Sequence, residues 1–484
     1  MESWIYPPMT AKARGWDPFN CFTTVESPGL SIPKATVSVL QYNLLFKLKY
    51  IISTLGCKVN QHESDILAAG LSAYGWQAAD RDEQADVCVV NTCTVTQRAS
   101  MQSRQLIRQL QRQHPDARII VTGCYAQIAP EEIAAIEGVH MIAGQSCKAD
   151  LPAMIVQAAG DTGAAPWRAV DRLSPQMPFS VPAAPVPGSR TRPYLKIQDG
   201  CNSFCTYCIV PYARGRSRSM PPVEVLRHLH QLGAMGYHEA VLTGIHLGVY
   251  GVDLQPAGSL FTLLQTIAQE RPLPRIRLSS IEPNELSDEM IDLVAESDLF
   301  CPHFHLPLQS GDDTILKRMH RPYSRELFRQ RVVHIKRRLP WAAVGADVLV
   351  GFPGEDEAAF EQTCRLIEIL PLTYLHVFPF SARPGTPAAG YGDQVPSDII
   401  KRRTAWLRAI GAEKKHVFLQ NALGRKTDVL VETRRDPATG LLKGLTPNYL
   451  TVLLDGRDGC MNTIVPVAIQ KIGRGNRLEG RIVD

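Results

Sequence analysis

The chain has 484 residues, 45% of them hydrophobic and 20% charged, with a formal net charge of +5. That length exceeds what one hydrophobic core serves, so two or three domains are expected. No run of about 18 apolar residues appears, which excludes a transmembrane helix, and residues 1–20 lack the basic-then-apolar pattern of an export signal. A cytoplasmic protein is expected, and any polyanion must be met by local basic patches.

Residues 1–47 hold Pro7, Pro8, Pro28 and Pro33 without periodicity and read as a poorly ordered leader, or as sequence upstream of the true start. From 48 to 163 strands and helices alternate: strand Tyr50 to Leu55, helix Asn60 to Tyr74 stopped by Gly75, strand Val87 to Asn91, helix Thr96 to Gln113, strand Arg118 to Thr122, then a helix opened by Pro130-Glu131-Glu132. This order implies a Rossmann-like parallel α/β sheet. Residues 164–188, rich in Pro and Ala, read as a linker. Between 189 and 418, strands at Tyr194 to Gln198, Glu239 to Thr243, Arg275 to Ser279, His303 to Leu308, Gly345 to Val350 and Tyr374 to Pro379 predict an open or partial (β/α)6 barrel. The last segment, 419–484, has short β-rich runs, Thr427 to Glu432, Tyr449 to Leu454 and Thr463 to Ile472, between Gly and Asp-Gly turns, as in a small β-barrel.

Twelve cysteines are too sparse for a disulfide scaffold, so grouped ones point to metal or redox chemistry. Cys88 and Cys364 fit an apolar core, and Cys21, Cys147, Cys301 and Cys460 have no partner at ligand spacing. The densest group is Cys201, Cys205 and Cys208. Three thiolates this close suit one soft metal centre. A structural zinc wants a fourth ligand, and the nearest candidate, His228, is twenty residues away. Three cysteines suit a 4Fe-4S cluster with one iron left open. The group follows the first barrel strand, at the end where barrel enzymes build active sites. Cys57, Cys93 and Cys124 each follow a predicted strand and would emerge at one carboxyl edge of the first sheet, although unrelated loop cysteines remain the alternative.

The words TLGCKVNQHES, NTCTVT, GCYAQ, KIQDGCNSFCTYCIVPYARG, LTGIHLG, RLSSIEP, HFHLPLQSG and ADVLVGFPGE occur in this order. The chain from about 48 to 484 thereby resembles the methylthiotransferases, a family within the radical S-adenosylmethionine (SAM) superfamily. Leu55 to Asn60 and Lys196 to Asn202 are most similar to the branch acting on N6-threonylcarbamoyladenosine at tRNA position 37. The resemblance implies three domains: an N-terminal three-cysteine domain, a radical SAM barrel and a C-terminal TRAM barrel. It implies two 4Fe-4S clusters, an auxiliary one on Cys57, Cys93 and Cys124 and a SAM-binding one on Cys201, Cys205 and Cys208. One SAM would methylate sulfur at the auxiliary cluster and a second would give the radical that takes hydrogen from C2 of the adenine. Further SAM contacts are expected from Thr243 and Gly244, from Ser279 and Glu282, and from Gln309 and Gly351. The ordinary readings of these six are turn glycines and helix caps.

Basic runs suit a tRNA track, although each could be only a solvated helix face. Lys317 to Arg338 holds nine Lys or Arg against Glu326, Lys401 to Leu430 holds eight against Glu413 and Asp428, and Arg214, Arg216 and Arg218 adjoin the cysteine loop. The expected partners are a tRNA anticodon loop with its base turned out, SAM, and an electron donor such as flavodoxin or ferredoxin. A monomer is expected. The competing readings are the same chemistry on isopentenyladenosine or a ribosomal-protein side chain, an iron–sulfur RNA-binding module without turnover, and a structural-zinc RNA binder.

Overall fold

The computed structural model describes residues 48–80, 83–159, 166–186, 188 and 190–483. The leader expectation for 1–47 lies outside them.

The first body is a six-stranded, wholly parallel sheet of order β2-β1-β3-β4-β5-β6. Its strands are β1 (Lys49–Thr54), β2 (Gln77–Ala78), β3 (Val87–Thr92), β4 (Arg118–Gly123), β5 (Val139–Ala143) and β6 (Trp167–Ala169). Alternation along β3 sends Val87 and Val89 to one core, with Leu67 and Leu71 of α1 (Lys58–Ala73). Cys88 and Val90 go to the other, with Ile107 and Leu110 of α2 (Gln97–Gln113). Short helices α3 (Cys124–Ile128) and α4 (Pro130–Ala134) follow β4, and α5 (Leu151–Ala158) follows β5. The expected linker therefore needs correction: its residues 167–169 pair with β5 as the edge strand of this sheet.

The second body carries six parallel strands in two sheets, β11-β10-β7 and β12-β13-β14. The strands are β7 (Tyr194–Lys196), β10 (Glu239–Thr243), β11 (Arg275–Leu278), β12 (His303–Gln309), β13 (Ala343–Val350) and β14 (Tyr374–Pro379). The sheets meet where Ile276 bridges Phe300 and the Ile281 amide donates to the His305 carbonyl at 3.1 Å. The first strand ends at Lys196 rather than Gln198, because Gln198–Asp199 (β8) turns to pair antiparallel with Arg218–Ser219 (β9). The cysteine loop is held between those two segments, with α6 (Val210–Arg214) inside it. Helices α7 (Pro222–Ala234), α8 (Leu260–Glu270), α9 (Asp288–Glu296), α10 (Asp313–Arg318), α11 (Arg325–Arg338), α12 (Glu357–Ile369) and α13 (Ser397–Gln420) complete this body. Its buried core runs from Leu195 through Ile276 and Leu306 to Leu407.

The third body is a closed five-stranded barrel of order β15-β16-β17-β19-β18, built from β15 (Lys426–Arg435), β16 (Leu442–Leu445), β17 (Thr451–Leu454), β18 (Ile464–Gly473) and β19 (Arg477–Ile482). Val429, Val452, Val467 and Leu478 fill it, and Phe418 of α13 joins that core. It is fixed to the second body by Arg277, which donates to the Pro447 carbonyl at 2.8 Å, and by Arg192, paired with Glu432 at 3.2 Å. No helix among the described residues is long and apolar enough to cross a membrane.

Candidate active site

The loops carrying Cys57, Cys93 and Cys124 leave the carboxyl ends of β1, β3 and β4 and are tied to one another. Asn60 Nδ2 donates to the carbonyls of Leu55 at 2.8 Å and Thr92 at 3.0 Å, joining the first two loops. Thr92 Oγ1 donates to the Thr122 carbonyl at 2.6 Å and accepts from the Ala126 amide at 3.3 Å, joining the second to the third. A Cβ at Gly56 would stand 3.0 Å from Cys93 Sγ. At Gly123, where φ is +97°, a Cβ would meet the Thr92 carbonyl at 2.4 Å, so only glycine lets β4 turn into α3 here. Cys57 is exposed, whereas Cys93 and Cys124 are buried. Burial and the neighbouring Cys124 push the Cys93 thiol up to about 11.

Cys201, Cys205 and Cys208 line an open cleft of about 360 Å³ at the carboxyl end of the second body. Gly200, at φ +71°, sets the loop's entry, since a Cβ there would lie 2.0 Å from the Arg216 carbonyl. The Cys201 amide donates to Gly215 and the Cys208 amide to Cys205, at 3.0 and 2.9 Å. His246 Nδ1 lies 3.4 Å from Cys201 Sγ and 3.2 Å from Ser203 Oγ, while its Nε2 meets Glu285 at 2.6 Å. Burial opposes protonation of His246, but the bonds to Cys201 and Glu285 win and raise it to about 10. Arg321 donates to Cys205 Sγ at 3.2 Å and pairs with Glu282.

Of the six further residues expected at this site, Glu282 and Gln309 line the cleft with the cysteines. Thr243, Gly244, Ser279 and Gly351 do not, and each has its own packing. Thr243 ends β10 and is buried. Gly244 packs on Gln198, and Gly351 packs on Ile400 of α13. Ser279 is buried with its Oγ unpartnered. His246, Arg321 and Asp347 also line the cleft. His246 lay inside the word LTGIHLG, whereas Arg321 read as one more charge in a basic run. Asp347 stands 3.2 Å from both His305 Nε2 and His376 Nδ1. Among the described residues that trio is the one group of three ligand-type side chains with one ligand atom from each within 4.8 Å of the others. Neither cysteine set is so compact, although sulfurs about 2.3 Å from one tetrahedral ion would lie about 3.8 Å apart. The candidate fourth zinc ligand, His228, instead meets the Pro182 carbonyl at 3.1 Å.

The two cysteine regions are joined by buried charge. Fully buried Arg214, the last residue of α6, reaches Glu63 of α1 at 2.9 and 3.2 Å, Asp199 at 2.9 Å, and Asn60 Oδ1. Lys148 and Lys196 also pair with Glu63, and Lys196 and Arg218 with Asp199. Burial would raise both carboxyls, but these cations hold both well below the usual range. The first body also enters the cleft itself: Val95 and Thr96, just after Cys93, form part of its wall beside Ser381, whose Oγ accepts from the Gln97 amide at 3.0 Å.

The expected RNA track is altered by this pairing. Arg214 and Arg218 are buried in ion pairs, whereas Arg216 is exposed over the Phe204 ring. In the run 317–338, Arg318, Arg321, Arg325, Arg329, Arg331 and Arg338 all have carboxylate partners. In the run 401–430, Lys401, Arg402, Lys415 and Lys426 are exposed and make no ion pair among the described residues.

A parallel sheet feeding cysteine loops toward a partial barrel with its own three-cysteine loop defines a radical SAM enzyme with an added cysteine domain. Comparison with known proteins agrees. Residues 195–367 match the radical SAM superfamily and 49–144 match a family described only as the uncharacterized protein family UPF0004. A threonylcarbamoyladenosine tRNA methylthiotransferase MtaB of Bacillus subtilis is 39% identical, covering 87% of this chain and 93% of the relative. Its counterpart in Aquifex aeolicus is 34% identical over 84% and 97%. A tRNA-2-methylthio-N(6)-dimethylallyladenosine synthase of Carboxydothermus hydrogenoformans is 33% identical over 90% and 99%. The chain belongs to the radical SAM methylthiotransferase family and is of the MtaB type.

Proposed function

We propose that this protein inserts a methylthio group at C2 of N6-threonylcarbamoyladenosine at position 37 of tRNA, with SAM as both methyl donor and radical source. The observation that carries this reading is the likeness to MtaB enzymes over nearly their whole length, in a chain whose two cysteine regions share one buried charge network. Reductive cleavage of SAM at a 4Fe-4S cluster supplies the radical that an unactivated aromatic C–H requires.

The chain's own residues bind, orient and enclose. Cys201, Cys205 and Cys208 hold the SAM-binding cluster, and Cys57, Cys93 and Cys124 hold the auxiliary one. Their thiols fit such a role: loop hydrogen bonds preposition both sets, and buried Arg214 with partly buried Lys148 offsets thiolate charge near Cys124. Glu282 and Gln309 present polar atoms to SAM, while Val95, Thr96 and the 378–381 segment shield the cleft from water. Thr243, Gly244, Ser279 and Gly351 support these groups from behind.

Residues 48–163 form the auxiliary-cluster domain, 189–418 the radical SAM domain, and 419–484 a TRAM-like barrel that grips the anticodon loop together with Lys401, Arg402 and Lys415. The enzyme works in the cytoplasm as a monomer, reduced by a flavodoxin- or ferredoxin-type donor. Nucleoside mass spectrometry of tRNA from a methylthiotransferase-deficient host expressing this protein tests the proposal. The 2-methylthio form of N6-threonylcarbamoyladenosine is expected. If only the isopentenyl counterpart gains the group, the substrate assignment falls, and if neither does, the tRNA reading falls.

A further inference from the structure

Strands β12, β13 and β14 turn unlike faces to their two sides. Phe304, Val344 and Val377 point into the apolar core. Residues of the other register, among them His303, His305, Asp347, Tyr374, His376 and Phe378, stand on the inner face, where Asp347 and Phe378 reach the cleft of the 201–208 loop. Rings on that face form a continuous row. It starts at Tyr449 of the third body and passes His303, Tyr374, His305 and His376 to Phe378, with successive centroids 4.4 to 6.3 Å apart. The Tyr374 ring lies against Gly345, where a Cβ would collide with it. Tyr449, His376 and Phe378 are exposed, and exposed rings in series are a surface on which bases stack.

Lys58, the first residue of α1, belongs to the same place. The charged groups that act on it are Arg277, Arg192 and Asp347, besides its neighbour Cys57, and it acts in turn on His303. The carboxylates nearby are already taken. Asp347 meets His305 and His376, Glu239 holds Arg277, and Glu432 holds Arg192. On its own helix Glu63 serves Lys148, Lys196 and Arg214, and Asp65 serves Arg190. Lys58 is thus partly buried without an ion-pair partner among the described residues. The helix adds to the imbalance: no acid stands in its first turn, so the ammonium sits at the positive end of the macrodipole. A partly desolvated cation in that field is unfavourable until an anion meets it.

We infer that Lys58 binds the carboxylate of the threonylcarbamoyl arm when the target adenosine lies on this row of rings, and so selects that nucleoside over the isopentenyl one. The inference deepens the proposed function and rests on it. A threonylcarbamoyl arm ends in a carboxylate, whereas an isopentenyl arm carries neither charge nor hydrogen-bonding group. An ammonium here forms a charge-assisted bond with the first and stays unpaired against the second. Lys58 adjoins Cys57 in the chain, so the group that reads the arm stands beside the auxiliary cysteine site.

The test uses the anaerobically reconstituted full-length protein and three synthetic anticodon stem-loops that differ only at position 37. They carry N6-threonylcarbamoyladenosine, its methyl ester, or N6-isopentenyladenosine, and methylthio product is followed by nucleoside mass spectrometry as kcat/KM. In wild type the ester should lose about tenfold or more against the free acid, the effect of removing a hydrogen bond between charged groups. Lys58→Met should lose about as much on the acid yet treat acid and ester alike, with iron content and SAM cleavage unchanged. Lys58→Arg should restore most of the preference, and Lys58→Gln gives the same reading as Lys58→Met if the latter loses iron. Equal rates on acid and ester in wild type overturn the inference and leave the proposed function standing. A Lys58→Met protein that still prefers the acid overturns it as well. So does one slowed equally on all three stem-loops, since Lys58 would then serve only the charge of the auxiliary cluster. A wild-type protein with both clusters that leaves the threonylcarbamoyl stem-loop unmodified overturns both.

Discussion

Replacing Arg214 by Met gives the sharpest test of how the two bodies are held together. The guanidinium is fully buried and bonds Glu63 through both carboxylate oxygens, as well as Asp199 and Asn60. Removing one partner of a buried ion pair costs about 3–5 kcal/mol, because the other charge stays desolvated. Here Glu63 keeps Lys148 and Lys196, and Asp199 keeps Lys196 and Arg218, which places the loss near the lower end, about 3 kcal/mol. The cost falls on the interface between α1 and the loop 199–218, so it should show as local opening. Native-state hydrogen exchange in those two segments should accelerate by about a hundredfold, the factor that roughly 3 kcal/mol implies, while the closed barrel at 426–482 exchanges as before. Arg214→Lys, which keeps a charge but loses the fork geometry, should fall between. Exchange within about threefold of wild type in both segments would refute the reasoning, since the network would then contribute less than about 1 kcal/mol.

Gly200→Ala should displace the 201–208 loop, its Cβ being aimed 2.0 Å from the Arg216 carbonyl; iron analysis should show the SAM-site metal lost and the other site kept. Cys57→Ala, Cys93→Ala or Cys124→Ala should abolish methylthio product while SAM cleavage persists at least in part, measured as 5′-deoxyadenosine. Burial, with Lys196 nearby, lowers buried His62 from 6.5 to about 3. Between those values the unfolded chain binds the extra proton, so this stabilisation is complete above about pH 6.5 and drains away in acid by about 1.4 kcal/mol per unit. His62→Leu should flatten that part of the thermal midpoint against pH. Lys401→Ala and Arg402→Ala should each weaken tRNA binding regardless of sequence and lower the salt-dependence slope by about 1, whereas Arg329→Ala, whose partner is Glu326, should do neither.

The strands that host the cysteines were legible because they are β-branched runs ending in small or polar residues. Val87 to Thr92 and Arg118 to Gly123 were placed to within a residue. Trp167–Ala169 escaped because an edge strand of three half-exposed residues in a Pro-rich context leaves no periodic signal. Leu442–Leu445 and Arg477–Ile482 escaped likewise, being short or interrupted by charge, although the barrel they complete was expected. At the site, parallel topology alone forecast that Cys57, Cys93 and Cys124 leave one sheet edge. It could not forecast that Arg214 and Arg218 turn inward. The Arg214 partner Glu63 is far away in sequence, and Asp199, which both arginines meet, carries no sign of its burial; a charge looks the same on paper whether it meets water or a buried carboxylate.

The wall that Val95 and Thr96 contribute to the cleft at 201–208 bears on how such a chain can be rearranged. A front half from one homologue joined to a back half from another would carry every cysteine and still lack a finished pocket, unless Asn60 and Glu63 arrived with the Asp199 and Arg214 that suit them. The two halves are therefore inherited as a single lock, and a recombinant boundary anywhere between 64 and 198 separates its key from its wards.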